Sequence, residues 1–98
     1  MNVTICTIGE LLVEFLAKEE NQGFSRPGEF WGPYPSGAPA IFADQVAKLG
    51  LGSVLFSCVG KDAFGEMNIA RLESDGVNVN GIAILQKATT GSAFVSYR

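Results

Sequence analysis

Ser36-Gly37-Ala38-Pro39-Ala40-Ile41-Phe42-Ala43-Asp44-Gln45-Val46-Ala47-Lys48-Leu49-Gly50 is the stretch around which the rest of the sequence arranges itself. Ser36 or Gly37 suits the cap of a helix, and Pro39 suits its first turn, where a missing N–H is no loss. Ile41, Phe42, Val46 and Leu49 predict its apolar face, and Asp44 and Lys48 an i,i+4 pair on the outer side. Gly50 is a natural C-terminal stop. Upstream, Val3 to Ile8 is rich in β-branched residues, apolar on both faces and closed by Gly9. That pattern predicts a buried strand of parallel type. Downstream, Ser53 to Val59 predicts a second one. Strands alternating with helices imply an α/β fold, a parallel sheet covered by helices.

Working outward, Leu11 to Leu16 continues as an extended stretch in which Glu14 is the one interruption. Lys18 to Pro35 changes character. Gly23, Pro27, Gly28, Gly32, Pro33 and Pro35 forbid a long helix, and Phe24, Phe30, Trp31 and Tyr34 lie among them. Short strands with turns, as in a hairpin projecting from the body, fit this composition. Gly60 to Gly65 reads as a turn. Glu66 to Asp75 reads as a second helix with Met67, Ile69, Ala70 and Leu72 inward and Gly76 as its stop. Val77, Val79 and Ile82 lead into another extended region. Ala83 to Leu85 and Ser92 to Tyr97 read as two strands around a turn at Lys87 to Gly91. The pattern runs as far as Phe94-Val95-Ser96-Tyr97-Arg98 with few central strands, so the expectation is the first part of a larger domain.

Composition narrows the function classes. The chain has 98 residues and a net charge of −3. That balance gives no electrostatic footprint for nucleic acid or for an anionic membrane. No apolar run approaches the ~20 residues that span a bilayer. Met1-Asn2-Val3-Thr4-Ile5 lacks the basic flank of a signal peptide, so a cytoplasmic location is the default expectation. Cys6 and Cys58 sit in apolar runs without a metal-binding spacing, and are expected to be buried, reduced thiols. The sequence has no His, which excludes Ser-His-Asp and Cys-His catalysis by this chain.

Some residues carry chemistry in more than one reading. Ser36 to Ala40 opens a helix, where free N–H groups and the helix dipole favour oxygen-rich or anionic ligands. The same small residues also serve plain capping. Glu14 is either an acceptor for paired sugar hydroxyls or a solvated acid on a strand's outer face. Glu10 suits an active-site carboxylate or a turn cap, and Asp62 a helix cap or a turn residue. Phe30, Trp31 and Tyr34 suit either a sugar face or packing within a β-flap. The sequence holds no Gly-x-x-x-x-Gly-Lys-Ser/Thr phosphate loop, and Gly32 to Gly37 does not form a dinucleotide-binding fingerprint.

Taken together, these segments resemble the amino-terminal part of the ribokinase-like (PfkB) carbohydrate kinases. Thr7-Ile8-Gly9-Glu10-Leu11-Leu12-Val13-Glu14-Phe15 is similar to the opening of fructokinases and 2-keto-3-deoxygluconate kinases. Ser36-Gly37-Ala38-Pro39-Ala40, continued through Ala47-Lys48-Leu49-Gly50, is similar to the family's first signature, Gly-Gly-Ala-Pro-Ala-Asn with a Leu-Gly helix end. Val59-Gly60-Lys61-Asp62-Ala63-Phe64-Gly65 stands where the family has Gly-x-Asp-x-x-Gly. Thr89-Thr90-Gly91-Ser92-Ala93-Phe94-Val95 resembles the lid strand that follows.

The resemblance implies a body of sheet and helices over residues 3–10 and 36–82, and a small β lid over residues 11–35 and 83–98. It implies sugar contacts at Glu14, where the family usually has Asp, at Ser36, Gly37 and Ala38, and at Ala93 from the lid. Two departures stand out. Ile41 occupies the place of the signature Asn, and an apolar side chain cannot hydrogen-bond, so that contact is lost or supplied elsewhere. Ser36 replaces the first signature Gly. The resemblance implies that the complete enzyme uses ATP and Mg²⁺, with a catalytic Asp in a Gly-Ala-Gly-Asp motif that this sequence does not contain. There that Asp deprotonates a sugar hydroxyl for attack on the γ-phosphate. No catalytic, cofactor-binding or metal-binding residue is therefore expected in these 98 residues, and the chain alone is expected to be inactive. The implied partners are a small sugar or keto sugar acid and a second copy meeting through the β lid. A non-catalytic sugar-binding or dimerisation module of the same fold is the alternative.

Overall fold

In the computed structural model, which describes residues 3–98, eight elements follow one another. They are β1 (Thr4–Ile8), β2 (Leu12–Ala17), β3 (Phe30–Ser36), α1 (Ala38–Lys48), β4 (Gly52–Gly60), α2 (Ala63–Ser74), β5 (Ile82–Leu85) and β6 (Gly91–Val95). They build two three-stranded sheets. The first has the order β1-β4-β5 and is parallel throughout. The second has the order β3-β2-β6, with β2 antiparallel to β3 and parallel to β6. This is the expected α/β arrangement, a parallel sheet with helices and a smaller sheet beside it.

Both helices pack on one face of the first sheet. Their buried residues Ala40, Ala43 and Leu72 meet Leu55 and Val59 of β4, and Leu11, Val77 and Ile82 complete the cluster. The second helix follows the expected outline. Leu72 is buried, but Gly65 and Asn68 share its inner face and Ala70 is exposed. The sheet seats the first helix on a different stripe from the one its large residues suggest. Ala40, Ala43, Asp44 and Val46 are buried, whereas Ile41, Phe42 and Leu49 are exposed. Small residues let the helix axis approach β1 and β4 closely, and the Ser53 hydroxyl of β4 donates to the Ala43 carbonyl at 2.7 Å.

Three expectations are corrected here. The strand over Val3 to Ile8 is not buried on both faces. Alternate residues point away from the helices, and Ile8 is 83% exposed. For the same reason Cys6 and Cys58 are free and exposed rather than buried, because the period of two sends both to the bare face of the sheet. Finally, residues 83–85 do not join the second sheet. Ser57 to Gly60 of β4 pair with Ile82 to Leu85, and the second sheet takes only Gly91–Val95 from this part of the chain. Two strands do flank the turn, but each is claimed by a different sheet.

Candidate functional site

The second sheet places Glu14 in its central strand. Tyr34 of β3 lies opposite it on one side and Ala93 of β6 on the other. A register shift between Glu14 and Leu16 interrupts the β2–β3 ladder at this point, a feature that re-aims side chains in a strand. Ser36 ends β3, and its hydroxyl donates to Glu14 Oε2 at 3.0 Å. The serine that fits a helix cap is thus turned instead to the carboxylate. No side chain caps α1: its N-cap is Gly37, and Ile41 N–H donates to the Gly37 carbonyl at 2.9 Å.

Gly37 has φ 102°, and a Cβ on it would stand 2.8 Å from the Glu10 carbonyl oxygen and 3.0 Å from Leu11 Cα. Only glycine passes this close to the β1–β2 connection in that conformation. The strand-to-helix turn can therefore lie directly against β2, which brings the uncapped helix N-terminus to Glu14. Ala38 is exposed in the first turn, and Ile41, one turn on, is half exposed. The structure so brings Glu14, Ser36, Gly37 and Ala38 into one neighbourhood. Ala93 is Glu14's strand partner and Ile41 extends the line along α1.

Beside this neighbourhood lies a cleft of about 50 Å³, between α1, α2 and the end of β3. Its lining includes Pro35, Ser36, Ile41, Asp44, Asn68 and Arg71; Glu14, Gly37, Ala38 and Ala93 stand outside it. Asn68, almost wholly buried, donates both amide protons, to the Leu12 and Phe64 carbonyls. It ties α2 to the small sheet. Asp44 Oδ2 lies 3.4 Å from Lys48 Nζ and 3.7 Å from Arg71, and both cations also reach Asp75. Burial pushes the Asp44 carboxyl above the usual carboxylate range, helped by the neighbouring Asp75, while the Arg71 hydrogen bond holds Asp75 below it. Asp44 Oδ1 is buried with no partner. Of these residues the sequence signals only the Asp44–Lys48 pair. Asn68 and Arg71 come from 24 or more residues away, beyond the reach of local pattern.

A second polar knot joins the two sheets. Asp62 is the N-cap of α2 and accepts from Gly65 N–H at 2.8 Å. It also accepts from the Thr90 N–H at 2.8 Å and the Thr90 hydroxyl at 2.7 Å. Thr90 Oγ1 in turn accepts from Gly60 N–H at 3.0 Å. These donors, the Thr90 N–H foremost, hold the Asp62 carboxyl below its usual range. Asp62 is thus a cap and a cross-link at once, a double role carried by the unremarked Thr90. Phe30, Trp31 and Tyr34 lie on β3, away from the cleft lining; Phe30 packs edge-on against Phe94, and Lys18 sits over the Trp31 ring. Glu10 is exposed. Among the described residues, no group of three or more Cys, Asp or Glu side chains is placed to hold a metal ion, and no helix is long and apolar enough to cross a membrane.

Comparison with known proteins gives a consistent picture. The family model described as pfkB family carbohydrate kinase matches residues 3–97. Fructokinase-2 of Oryza sativa is 33% identical over 94 residues, which cover 96% of this chain and 28% of that protein. Among solved structures, an Escherichia coli chain provisionally named ribokinase II, solved with ATP and Mg²⁺, superimposes with a TM-score of 0.94 at 55% identity. The match covers 96% of this chain and 30% of that one. A fructokinase from Xylella fastidiosa with bound ATP has a TM-score of 0.82 at 32% identity, over 98% of this chain and 30% of that one. The chain thus spans under a third of the length of these relatives.

Proposed function

The chain belongs to the pfkB family of carbohydrate kinases, and from that premise we propose that it forms the sugar-binding amino-terminal part of an ATP-dependent kinase that phosphorylates a sugar hydroxyl. The observation that carries this reading is the Ser36–Glu14 hydrogen bond at the uncapped N-terminus of α1. An ionised acid pre-oriented by a hydroxyl, beside free backbone N–H groups, suits a polyol, since Glu14 accepts and the helix amides donate. The small sheet acts as a lid, with Ala93 flanking Glu14 from β6. The exposed aromatics Trp31, Tyr34 and Phe94 support pairing of two copies through that lid. The donor set of the described residues does not fit Mg²⁺, and the sequence has no phosphate loop, so no step through ATP is assigned to this chain. The catalytic Asp and the nucleotide site belong, on this reading, to the part of the kinase beyond the first third, and the location is cytoplasmic.

Calorimetric titration of the chain with D-fructose and with 2-keto-3-deoxygluconate tests the reading. Binding of one of them is expected, and Glu14→Ala is expected to weaken it by about tenfold or more, the worth of a hydrogen bond to a charged group. The same mixture with ATP and Mg²⁺ is expected to release no ADP. Equal affinity of wild type and Glu14→Ala would remove Glu14 from the site.

A further inference from the structure

The first turn of α1 loses a polar contact at Ile41, where an apolar side chain stands beside the sugar neighbourhood. Three residues along the same helix, Asp44 is 4% exposed, and its Oδ1 is buried without a hydrogen-bond partner. Residues three apart share a helix face, and Ser36, Ile41 and Asp44 together line the cleft between α1 and α2. Ser36 also holds Glu14, so one residue is common to the sugar neighbourhood and the cleft. A buried acceptor left open costs free energy unless something donates to it.

The nature of that donor follows from charge and size. Asp44 and Asp75 face Lys48 and Arg71, two acids against two bases, so the cluster is neutral. It offers no excess negative charge to hold a cation, and no free cation to hold an acid. Asn68 spends both amide protons on backbone carbonyls, which leaves only its carbonyl oxygen as a further acceptor. The cleft therefore asks for neutral donors. Its volume of about 50 Å³ exceeds what one water requires and is too small for a sugar ring.

We propose that this cleft is a subsite for the terminal hydroxymethyl group of the sugar, with Asp44 as the residue that accepts its hydroxyl and so selects substrates bearing it. Asp44 thereby supplies the polar contact that Ile41 cannot make. The ring or chain of the sugar stays at Glu14 and Ser36, and one end passes Ser36 and Ile41 into the cleft. This rests on the sugar-binding reading of Glu14 and Ser36 and adds to it a choice of substrate by its end group.

The test compares ligands on the unaltered chain, so it does not depend on a variant folding. D-Fructose, 1-deoxy-D-fructose and 6-deoxy-D-fructose are titrated while the amide and carboxyl NMR signals of Asp44 are followed. Loss of one terminal hydroxyl is expected to weaken binding about tenfold or more and to abolish the shift at Asp44. Loss of the other is expected to do neither. Asp44→Asn, matched in shape, is expected to narrow the preference for the hydroxylated end. Suppose instead that fructose binds and Glu14→Ala weakens it, while both deoxy sugars bind as well as fructose. The subsite is then overturned, water alone fills the cleft, and the Glu14 site stands. Failure of any of the three sugars to bind overturns both readings together.

Discussion

A methyl group at position 37 has nowhere to go. The Glu10 carbonyl and Leu11 backbone stand against the only direction it can take, and the φ of 102° is one that side-chain-bearing residues rarely adopt. Gly37→Ala is expected to lower stability by about 1–3 kcal/mol, read as a lower urea midpoint at unchanged slope. If the midpoint does not move, the turn is not held against β2. At this scale the sequence speaks through residue types that break a pattern. Glu14 stands out because its strand is otherwise apolar, and Gly37 because it precedes a helix. Asp44 does not stand out, since an acid four residues before a lysine looks like ordinary surface. Its burial depends on Arg71 reaching across from α2, which no local spacing announces.

Elements were more legible than the faces they bury. Strong apolar runs and capping residues mark the strands and both helices within a few residues of their ends. What the runs do not reveal is partnership. The strands around residues 82–85 and 91–95 look like neighbours across a turn, yet Gly60 at the end of β4 draws one and Leu12 of β2 the other. The Asp62–Thr90 knot sits where they part. Thr90→Val removes the hydroxyl that joins Asp62 to Gly60 N–H. Hydrogen exchange at Ser92 to Val95 is expected to quicken while that at Thr4 to Ile8 stays unchanged; uniform quickening would make the knot a global rather than a local tie. The knot also has a pH signature. Because the folded Asp62 carboxyl lies below its ordinary value, near 3.8, its contribution is complete above that value. It is lost as pH falls through the lowered folded value. The effect of Thr90→Val on β6 exchange is therefore expected to shrink under acid conditions.

Across the whole molecule, two helices on one side leave the other side of the parallel sheet bare, with Cys6, Ile8, Phe56 and Cys58 exposed there. The sequence pattern of strands apolar on both faces is that of a sheet covered twice, and it is met here by one layer. Both thiols are expected to react with a maleimide reagent without denaturant, at rates close to those in urea. Protection of both in buffer alone would mean that this face is covered in solution. The parallel register of β2 and β6 has a consequence for how such a chain tolerates change in length. Ala93 faces Glu14 only because Gly91 starts level with Leu12. The long connection from Lys18 to Glu29 can lose or gain residues at its tip and leave that alignment alone. A single residue removed between Leu85 and Thr90, with Gly60 and Leu12 both fixed, would slide the strand by one and bring Phe94 beside the carboxylate. Natural variation in length should therefore collect in the first connection and be nearly absent from the second.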